Sequence, residues 1–422
     1  MNEQTIEFIR LHADGDVRSL ALKGAPAGVD VTYALQQIAG RQVARRKLPS
    51  WAAIEGLLYP PHISMEQCSS EQTAKYKEAV VREALNPQLS SVDSPLSSVD
   101  SHLFSSCSCT PSFKFVDLTG GFGVDFSFMA RCFDNAIYVE QQECLCDIAR
   151  HNFRLLGLNH ACVVCADGVD YLQQMEPVDV IYLDPARRDS HGGRAYGIAD
   201  CTPNLLEFAD TLLLKAQTVI VKLSPMLDWK KAVSDLKNRV SEVHIVSVDN
   251  ECKELLLVMR SDVDRLSVKC VNNDDVFSYE GIGLIGPISP ISSIGLISPM
   301  GGTPVYLYEP NASIMKAGCF GQIAAYYGVS QIERNSHLFV SEHLVSDFPG
   351  RKFLVGHATT MNKKELKKAL SGIEKANIAV RNFPLSVAEL RRRLKINEGG
   401  STYIFATTLA NKEHVLIVCQ KV

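Results

Sequence analysis

Four acids, Asp117, Glu140, Asp167 and Asp184, close successive apolar runs of the chain. Asp117 opens the stretch Asp117-Leu118-Thr119-Gly120-Gly121-Phe122-Gly123-Val124-Asp125, which leads into a helix-like segment, Phe126 to Cys132. A strand that breaks into glycines brings backbone N–H groups within reach of a ligand, because no Cβ stands in the way. Dinucleotides and S-adenosylmethionine both use such a turn. Glu140 lies seventeen residues beyond Gly123, where a carboxylate can accept bonds from both ribose hydroxyls. Asp167, in Cys165-Ala-Asp-Gly168, can take an adenine amino group. Open α/β sheets bind ligands at the carboxyl ends of their strands, so these positions together point to an adenosyl group. The expected cofactor set is Asp117, Thr119, Gly120, Gly121, Phe122, Gly123, Asp125, Glu140, Asp167 and Asp184.

The elements that must position these residues alternate regularly. Strands are predicted at Phe113–Leu118, Ala136–Glu140, Ala161–Ala166, Val178–Asp184, Thr218–Leu223, Glu242–Val248 and Glu254–Arg260. Helical segments Glu143–Leu156, Gly168–Met175, Asn204–Ala216 and Trp229–Val240 separate most of the first six. The last two strands are joined only by Asp249–Lys253, too short for a crossover, so they must pair antiparallel. The result is a seven-stranded, doubly wound, Rossmann-like α/β sheet ending in a hairpin. Dinucleotide folds lack that hairpin and class I methyltransferases have it, which selects S-adenosylmethionine.

Around this sheet, residues 1–87 read as a helical region, with helices at Thr5–His12, Val31–Arg46, Trp51–Leu58 and Ser70–Leu85. Residues 88–112 are a Ser-rich insertion in which Leu89-Ser-Ser-Val-Asp-Ser94 repeats as Leu96-Ser-Ser-Val-Asp-Ser101. Residues 282–300 repeat Gly, Ile, Ser and Pro and are expected to be a second flexible loop. The sheet should occupy 113–262, a linker 263–348, and a small α+β unit 351–422.

The fourth strand ends in Leu183-Asp184-Pro185-Ala186-Arg187-Arg188, where the proline stiffens the loop that shapes an acceptor pocket. Here the chain resembles the bacterial class I methyltransferases with a C-terminal THUMP-like domain, whose Asp-Pro-Ala-Arg-Arg motif occupies this place. The resemblance extends to Glu66-Gln-Cys-Ser-Ser-Glu71 with Thr73 and Tyr76, Gly120 to Asp125, Lys222-Leu-Ser-Pro-Met-Leu-Asp228, Tyr308-Glu-Pro-Asn-Ala312 and Asn382-Phe-Pro-Leu-Ser386. It implies a ferredoxin-like linker domain over Tyr306 to about Phe348, a THUMP-like domain over 351–422, S-adenosyl-L-methionine as cofactor, and RNA as partner.

The residues after Asp184 narrow the acceptor chemistry. Amino-group methyltransferases place Pro-Pro-aromatic after their acid or amide, whereas Ala186-Arg187 offers no aromatic clamp. Covalent C5 chemistry needs a cysteine after the fifth strand, and that strand ends in Lys222-Leu223-Ser224-Pro225. Cys201 is the nearest alternative thiol in sequence. Direct transfer to a nitrogen or oxygen remains, with Asp184, Pro185, Arg187 and Arg188 as the catalytic set, His191 as a candidate base, and Lys222 and Ser224 along the far wall.

Charge sets the partner. Residues 351–422 carry 14 Lys/Arg against five Asp/Glu, a net +9 inside a chain of net −4, so the other 350 residues carry −13. Lys363, Lys367, Arg391, Arg392, Arg393 and Lys395 are the expected RNA contacts, with tRNA or rRNA as substrate. The rivals are a small-molecule or protein methyltransferase and a non-catalytic RNA-binding protein with a retained fold. The thirteen cysteines are scattered, and Cys162, Cys165 and Cys419 sit in apolar runs expected to be buried. No metal site, membrane span or export signal is expected, and the chain reads as cytoplasmic.

Overall fold

The computed structural model describes residues 2–86, 112–187, 197–237, 239–281, 291–299 and 303–422. The Ser-rich repeats and residues Arg188 to Tyr196 lie outside the described residues. Two units are present, one comprising Met1–Val248 with Lys253–Leu266, the other Asp249–Cys252 with Ser267–Val422.

The first unit contains β1 (Lys114–Asp117), β2 (Asn135–Glu140), β3 (Ala161–Cys165), β4 (Val178–Leu183), β5 (Ala186–Arg187), β6 (Cys201–Thr202), β7 (Ala216–Leu223), β8 (Val240–Val248) and β9 (Glu251–Met259). Seven of these form a sheet in the order β8-β9-β7-β4-β1-β2-β3. β1 lies parallel to β2 and β4, β2 to β3, and β4 to β7, while β9 runs antiparallel to β7. The central strands are near-continuous apolar runs because helices cover both sheet faces. Phe115, Val180, Ile220 and Val258 are buried accordingly. The hairpin joining β8 to β9 turns in two residues, Asp249 and Asn250, with φ of 51° and 63°. A left-handed pair matches the twist of antiparallel strands.

One burial expectation fails. Cys162 and Cys165 are exposed, because β3 is the outer strand of the sheet. Cys419 is buried as expected.

The N-terminal helices pack on the segment after the glycine turn. Leu48, Trp51, Tyr59, Met65 and Ala74 share a core with Phe122, Val124 and Phe128. Helix Glu71–Leu85 begins at Ser70, whose side chain accepts from the Thr73 N–H at 3.3 Å. The helix expected at Trp51–Leu58 stops at Ala52, shortly before Gly56 at φ 82°. Helices Val17–Lys23 and His62–Gln67 were not predicted. They span fewer than two turns, too few repeats for apolar spacing to be read from the sequence. Among the described residues no helix is long and apolar enough to cross a membrane.

In the second unit, β10 (Ser267–Asn272) and β11 (Asp275–Glu280) form an antiparallel hairpin. β12 (Tyr306–Pro310), β13 (Ser330–Gln331), β14 (Phe339–Ser341), β15 (Gly350–Thr360), β16 (Asn377–Arg381), β17 (Thr402–Thr408) and β18 (His414–Lys421) form one sheet in the order β13-β14-β12-β15-β18-β17-β16. Helices Lys363–Ala369 and Val387–Leu394 pack Leu366, Leu390 and Leu394 against Ile404, Ala406 and Leu416 on one face. The other face buries Phe353, Phe405 and Ile417 with Leu307, Leu338 and Val340. Ile291 and Ile297 belong to that core, and Ile291 N–H donates to Ile332 O at 3.0 Å. Residues 291–299 are therefore packed rather than loose, since their isoleucines have apolar surface to cover. Residues 282–290 of the expected loop lie outside the described residues.

Glu309, at the end of β12, is 4% exposed and clasps two arginines of the following segment. Arg351 Nε donates to Oε2 at 2.6 Å, and an Arg381 terminal nitrogen donates to Oε1 at 2.7 Å. A nearly buried carboxylate between two guanidinium groups leaves unpaired charges when it is deleted. Glu309→Ala should weaken the unfolding transition of this unit by about 1–3 kcal/mol, the half-exposed arginines moderating the loss. Urea denaturation of the full chain, followed by a probe in the second unit, measures it.

Candidate donor and acceptor site

The glycine turn is built around two aromatic rings. A Cβ on Gly120 would fall 2.2 Å from the Tyr138 ring, which is wedged between Phe126 and Phe153. Gly123 has φ 81°, and a Cβ there would meet Phe153 at 2.9 Å. Tyr138 also donates its hydroxyl to Gly121 O. Glycine at these two positions lets the turn lie flat against the sheet, directly before helix Val124–Met129.

Glu140 fixes the turn from the neighbouring strand. Its Oε2 accepts from the Gly121 N–H at 2.9 Å and its Oε1 from the Gln142 N–H at 2.8 Å. An ionised carboxylate has about four acceptor directions, so each oxygen retains one for a ribose hydroxyl. Asp167 caps helix Gly168–Gln174, accepting from Val169 N–H at 2.8 Å and Asp170 N–H at 3.1 Å, both on Oδ1. Its second oxygen can serve an adenine amino group. The Ala166 N–H donates to Glu140 O at 3.1 Å, so these two strand ends are tied together. The residues present thus fit an adenosyl donor.

Thr119 connects this donor side to the acceptor side. Its N–H donates to Asp117 Oδ1 at 2.9 Å, and its hydroxyl accepts the Asp184 N–H at 2.6 Å. Asp184 follows β4, and Pro185 behind it is buried. The Asp-Pro-Ala-Arg segment is then pinned, because β5 pairs with β6 through Ala186–Thr202 and Arg187–Cys201. Arg188 and His191 lie outside the described residues, as does the Arg187 side chain. The Cys201 residue is 1% exposed within β6.

Three members of the expected cofactor set turn inward. The Phe122 ring packs edge-on against Trp51, its centroid 5.1 Å away, in the N-terminal core. Asp117 is buried and already engaged by Thr119. Asp125 accepts the hydroxyls of Ser69 and Tyr182, each at 2.8 Å. Asp125 belongs to a cluster of two ammonium groups and three carboxylates. Lys77 Nζ lies 2.5 Å from Glu254 Oε1 and 3.2 Å from Asp125 Oδ1. Lys222 Nζ lies 2.5 Å from Asp184 Oδ2 and 3.6 Å from Asp125 Oδ2. Burial alone would raise the Asp125 carboxyl, but Lys77 and Lys222 hold it below its usual range. Lys77 and Glu254 escaped the sequence reading. The signal was there for Lys77: it falls on the buried stripe of its helix, with Thr73, Ala74, Val80 and Val81.

The expected RNA contacts divide by surroundings. Lys363, Lys367, Arg392 and Arg393 are exposed on the two helices of the second unit. Arg391 is half-buried and donates to Ala376 O at 3.3 Å, and Lys395 closes its helix at φ 56°.

Burial pushes the Asp117 carboxyl well up, and Asp125 and Asp184 add to the effect against the Thr119 bond. In the unfolded chain this group titrates near ~3.9. Its contribution to stability is therefore whole below about pH 4 and is lost as pH rises through the folded-state value. Asp117→Asn keeps an acceptor for Thr119 and removes the titration. The melting temperature of the variant relative to the native protein should rise as pH increases above about 4 and level off beyond the folded-state value; a constant difference would contradict the burial argument.

Comparison with known proteins agrees with this geometry. The model of a THUMP-like domain matches residues 350–421, and that of a ferredoxin-like domain matches 306–349. A crystal structure from Porphyromonas gingivalis W83, provisionally named a methyltransferase, is 30% identical. It aligns over 100% of this chain and 99% of its own, with a TM-score of 0.80. An rRNA methylase from Streptococcus thermophilus is 16% identical over 36% of this chain and 89% of its own, with a TM-score of 0.28, too low to add to the argument. Comparison with curated proteins gave no match. The full-length likeness, the sheet with its inserted hairpin and the two C-terminal domain matches lead to one conclusion: the chain belongs to the class I, S-adenosylmethionine-dependent methyltransferase family with a C-terminal THUMP-like domain.

Proposed function

We propose that the protein methylates a base of tRNA or rRNA by direct transfer to a nitrogen or oxygen, without a covalent cysteine intermediate. The observation that carries this reading is the Asp184 carboxylate, placed beside the glycine turn by the bond from its N–H to Thr119, with the Cys201 thiol sealed in β6. When bound, S-adenosylmethionine supplies a methyl group already activated on a sulfonium. The chain then has to hold the partners in line and stabilise charge. Glu140 grips the ribose, Asp167 takes the adenine amino group, and Asp184 accepts a hydrogen bond from the acceptor and orients it. Pro185 limits the freedom of that strand end, and Arg187 and Arg188 clamp a phosphate of the acceptor strand.

The substrate class is supported by charge. Lys363 and Lys367 on one helix and Arg392 and Arg393 on the next are exposed above the same apolar layer, giving phosphates a basic surface. Arg391 and Lys395 stand at its edge. A tRNA or rRNA substrate is consistent with a cytoplasmic protein.

Asp184→Ala should slow methyl transfer by about 100-fold or more while changing the dissociation constant for S-adenosylmethionine by less than about threefold. Tritiated-methyl incorporation into bulk RNA from cells lacking the protein gives the first number, and calorimetry the second. Unchanged turnover would remove Asp184 from the mechanism. Replacing Lys363, Lys367, Arg392 and Arg393 by Glu should weaken retention of that RNA on filters and flatten its dependence on salt. An unchanged salt slope would move RNA binding elsewhere, and a native protein that retains no RNA would favour a small-molecule or protein acceptor. Mass spectrometry of nucleosides from cells with and without the protein identifies the modified base.

A further inference from the structure

We propose that Lys222 is a positioning residue for methyl transfer: it holds the Asp184 carboxylate at the acceptor end of the site, and a buried charge cluster holds it in turn. The inference rests on the assignment of Asp184 to the acceptor side. Lys222 Nζ lies 2.5 Å from Asp184 Oδ2, 3.3 Å from Ser69 Oγ and 3.6 Å from Asp125 Oδ2. An ammonium has three protons to give, and three acceptors surround it. The Lys222 side chain is 13% exposed and the Asp184 side chain 39%, so the carboxylate faces outward and the ammonium supports it from beneath.

The support reaches far into the unit. Ser69 donates its hydroxyl to Asp125 at 2.8 Å and accepts from Lys77 at 3.2 Å as well as from Lys222. Lys77, fully buried on the N-terminal helix, pairs with Glu254 of β9. Tyr182 of β4 donates to Asp125 from the strand that ends at Asp184. Each member is fixed by at least one other, and a Lys222 ammonium parted from Asp184 and Asp125 would stand largely buried without a charged partner. Asp184 is the member with the most freedom, and Lys222 is its only ionic partner among the described residues.

The same surroundings exclude another role for Lys222. Burial by itself would push the ammonium down towards a neutral amine, but Asp184, Asp125 and Glu254 outweigh it and hold the group above its ordinary value. Lys222 therefore stays charged and cannot take a proton from the acceptor. Its effect on transfer passes through the placement of Asp184.

The test uses the full chain carrying Lys222→Met or Lys222→Arg. Lys222→Met should lower the single-turnover rate of methyl transfer to bulk RNA by about 100-fold, the cost of misplacing one group by about 1 Å. The affinity for S-adenosylmethionine and the KM for RNA should stay within about threefold of the native values. Lys222→Arg restores the charge with a different reach and should recover part of the rate. In crystals of Lys222→Met the Asp184 carboxylate should leave its position, and in crystals of Lys222→Arg, which serves if the first variant does not fold, it should remain paired. A Lys222→Met rate equal to the native one, or a carboxylate unmoved without the ammonium, overturns the proposal. So does a parallel loss of cofactor affinity, melting temperature and rate without rescue by arginine, which would mark a structural role alone. If the native protein methylates no RNA, the substrate reading fails and the crystallographic arm still decides the role of Lys222.

Discussion

Two lysine ammoniums and the carboxylates of Asp125 and Glu254 share the interior beneath the partly open Asp184, and much of the first unit is organised around keeping them paired. Removing charges from water costs several kcal/mol each, and only close partners and further hydrogen bonds offset that cost. Here the partners come from separate parts of the chain: Lys77 from the N-terminal helix, Asp125 from the helix after the glycine turn, and Asp184, Lys222 and Glu254 from β4, β7 and β9. Ser69 and Tyr182 supply the neutral hydrogen bonds that complete the set. The N-terminal helices are consequently built into the same core and charge cluster as the glycine turn. Their apolar side chains enclose Phe122 of the glycine turn, and their polar ones complete the charge balance behind Asp184.

The donor side is organised by backbone bonds. Glu140 and Tyr138, two residues apart on β2, hold Gly121 from its N–H and its carbonyl respectively. Thr119 carries that placement across to Asp184. Glu140, Gly121, Thr119 and Asp184 are thus tied by short contacts between adjacent strand ends. Rigid placement of this kind suits a reaction in which the donor is already activated.

The second unit shows why net charge alone overstates a binding surface. Its positive excess includes Arg351 and Arg381, both committed to Glu309, and Arg391, which donates to a backbone carbonyl. The exposed lysines of helix Lys363–Ala369 and Arg392 and Arg393 carry no such commitment and stay open to a polyanion. The matches to ferredoxin-like and THUMP-like domains meet within one continuous sheet, where β12 pairs with β15. The Glu309 clasp spans the same junction, so the two segments share strands and charges.

The sheet of the first unit was legible in the residues alone, because buried parallel strands read as uninterrupted apolar runs and a short polar turn forces a hairpin. So were the positions of Glu140, Asp167 and Asp184, since strand ends are marked by the residue at which the apolar run stops. Short helices such as Val17–Lys23, and the packing of residues 291–299, were not legible, because their signals span too few turns to repeat or resemble loop composition. Which acids turn to solvent and which to the interior follows from packing between distant segments. Asp125 and Asp184 look alike in sequence, yet one is enclosed by Ser69, Tyr182 and Lys77 and the other is left partly open. The pairing of Lys77 with Glu254, 177 residues apart, has no local signature. Electrostatic partnership depends on distance and burial, and folding brings both into being only when remote segments meet.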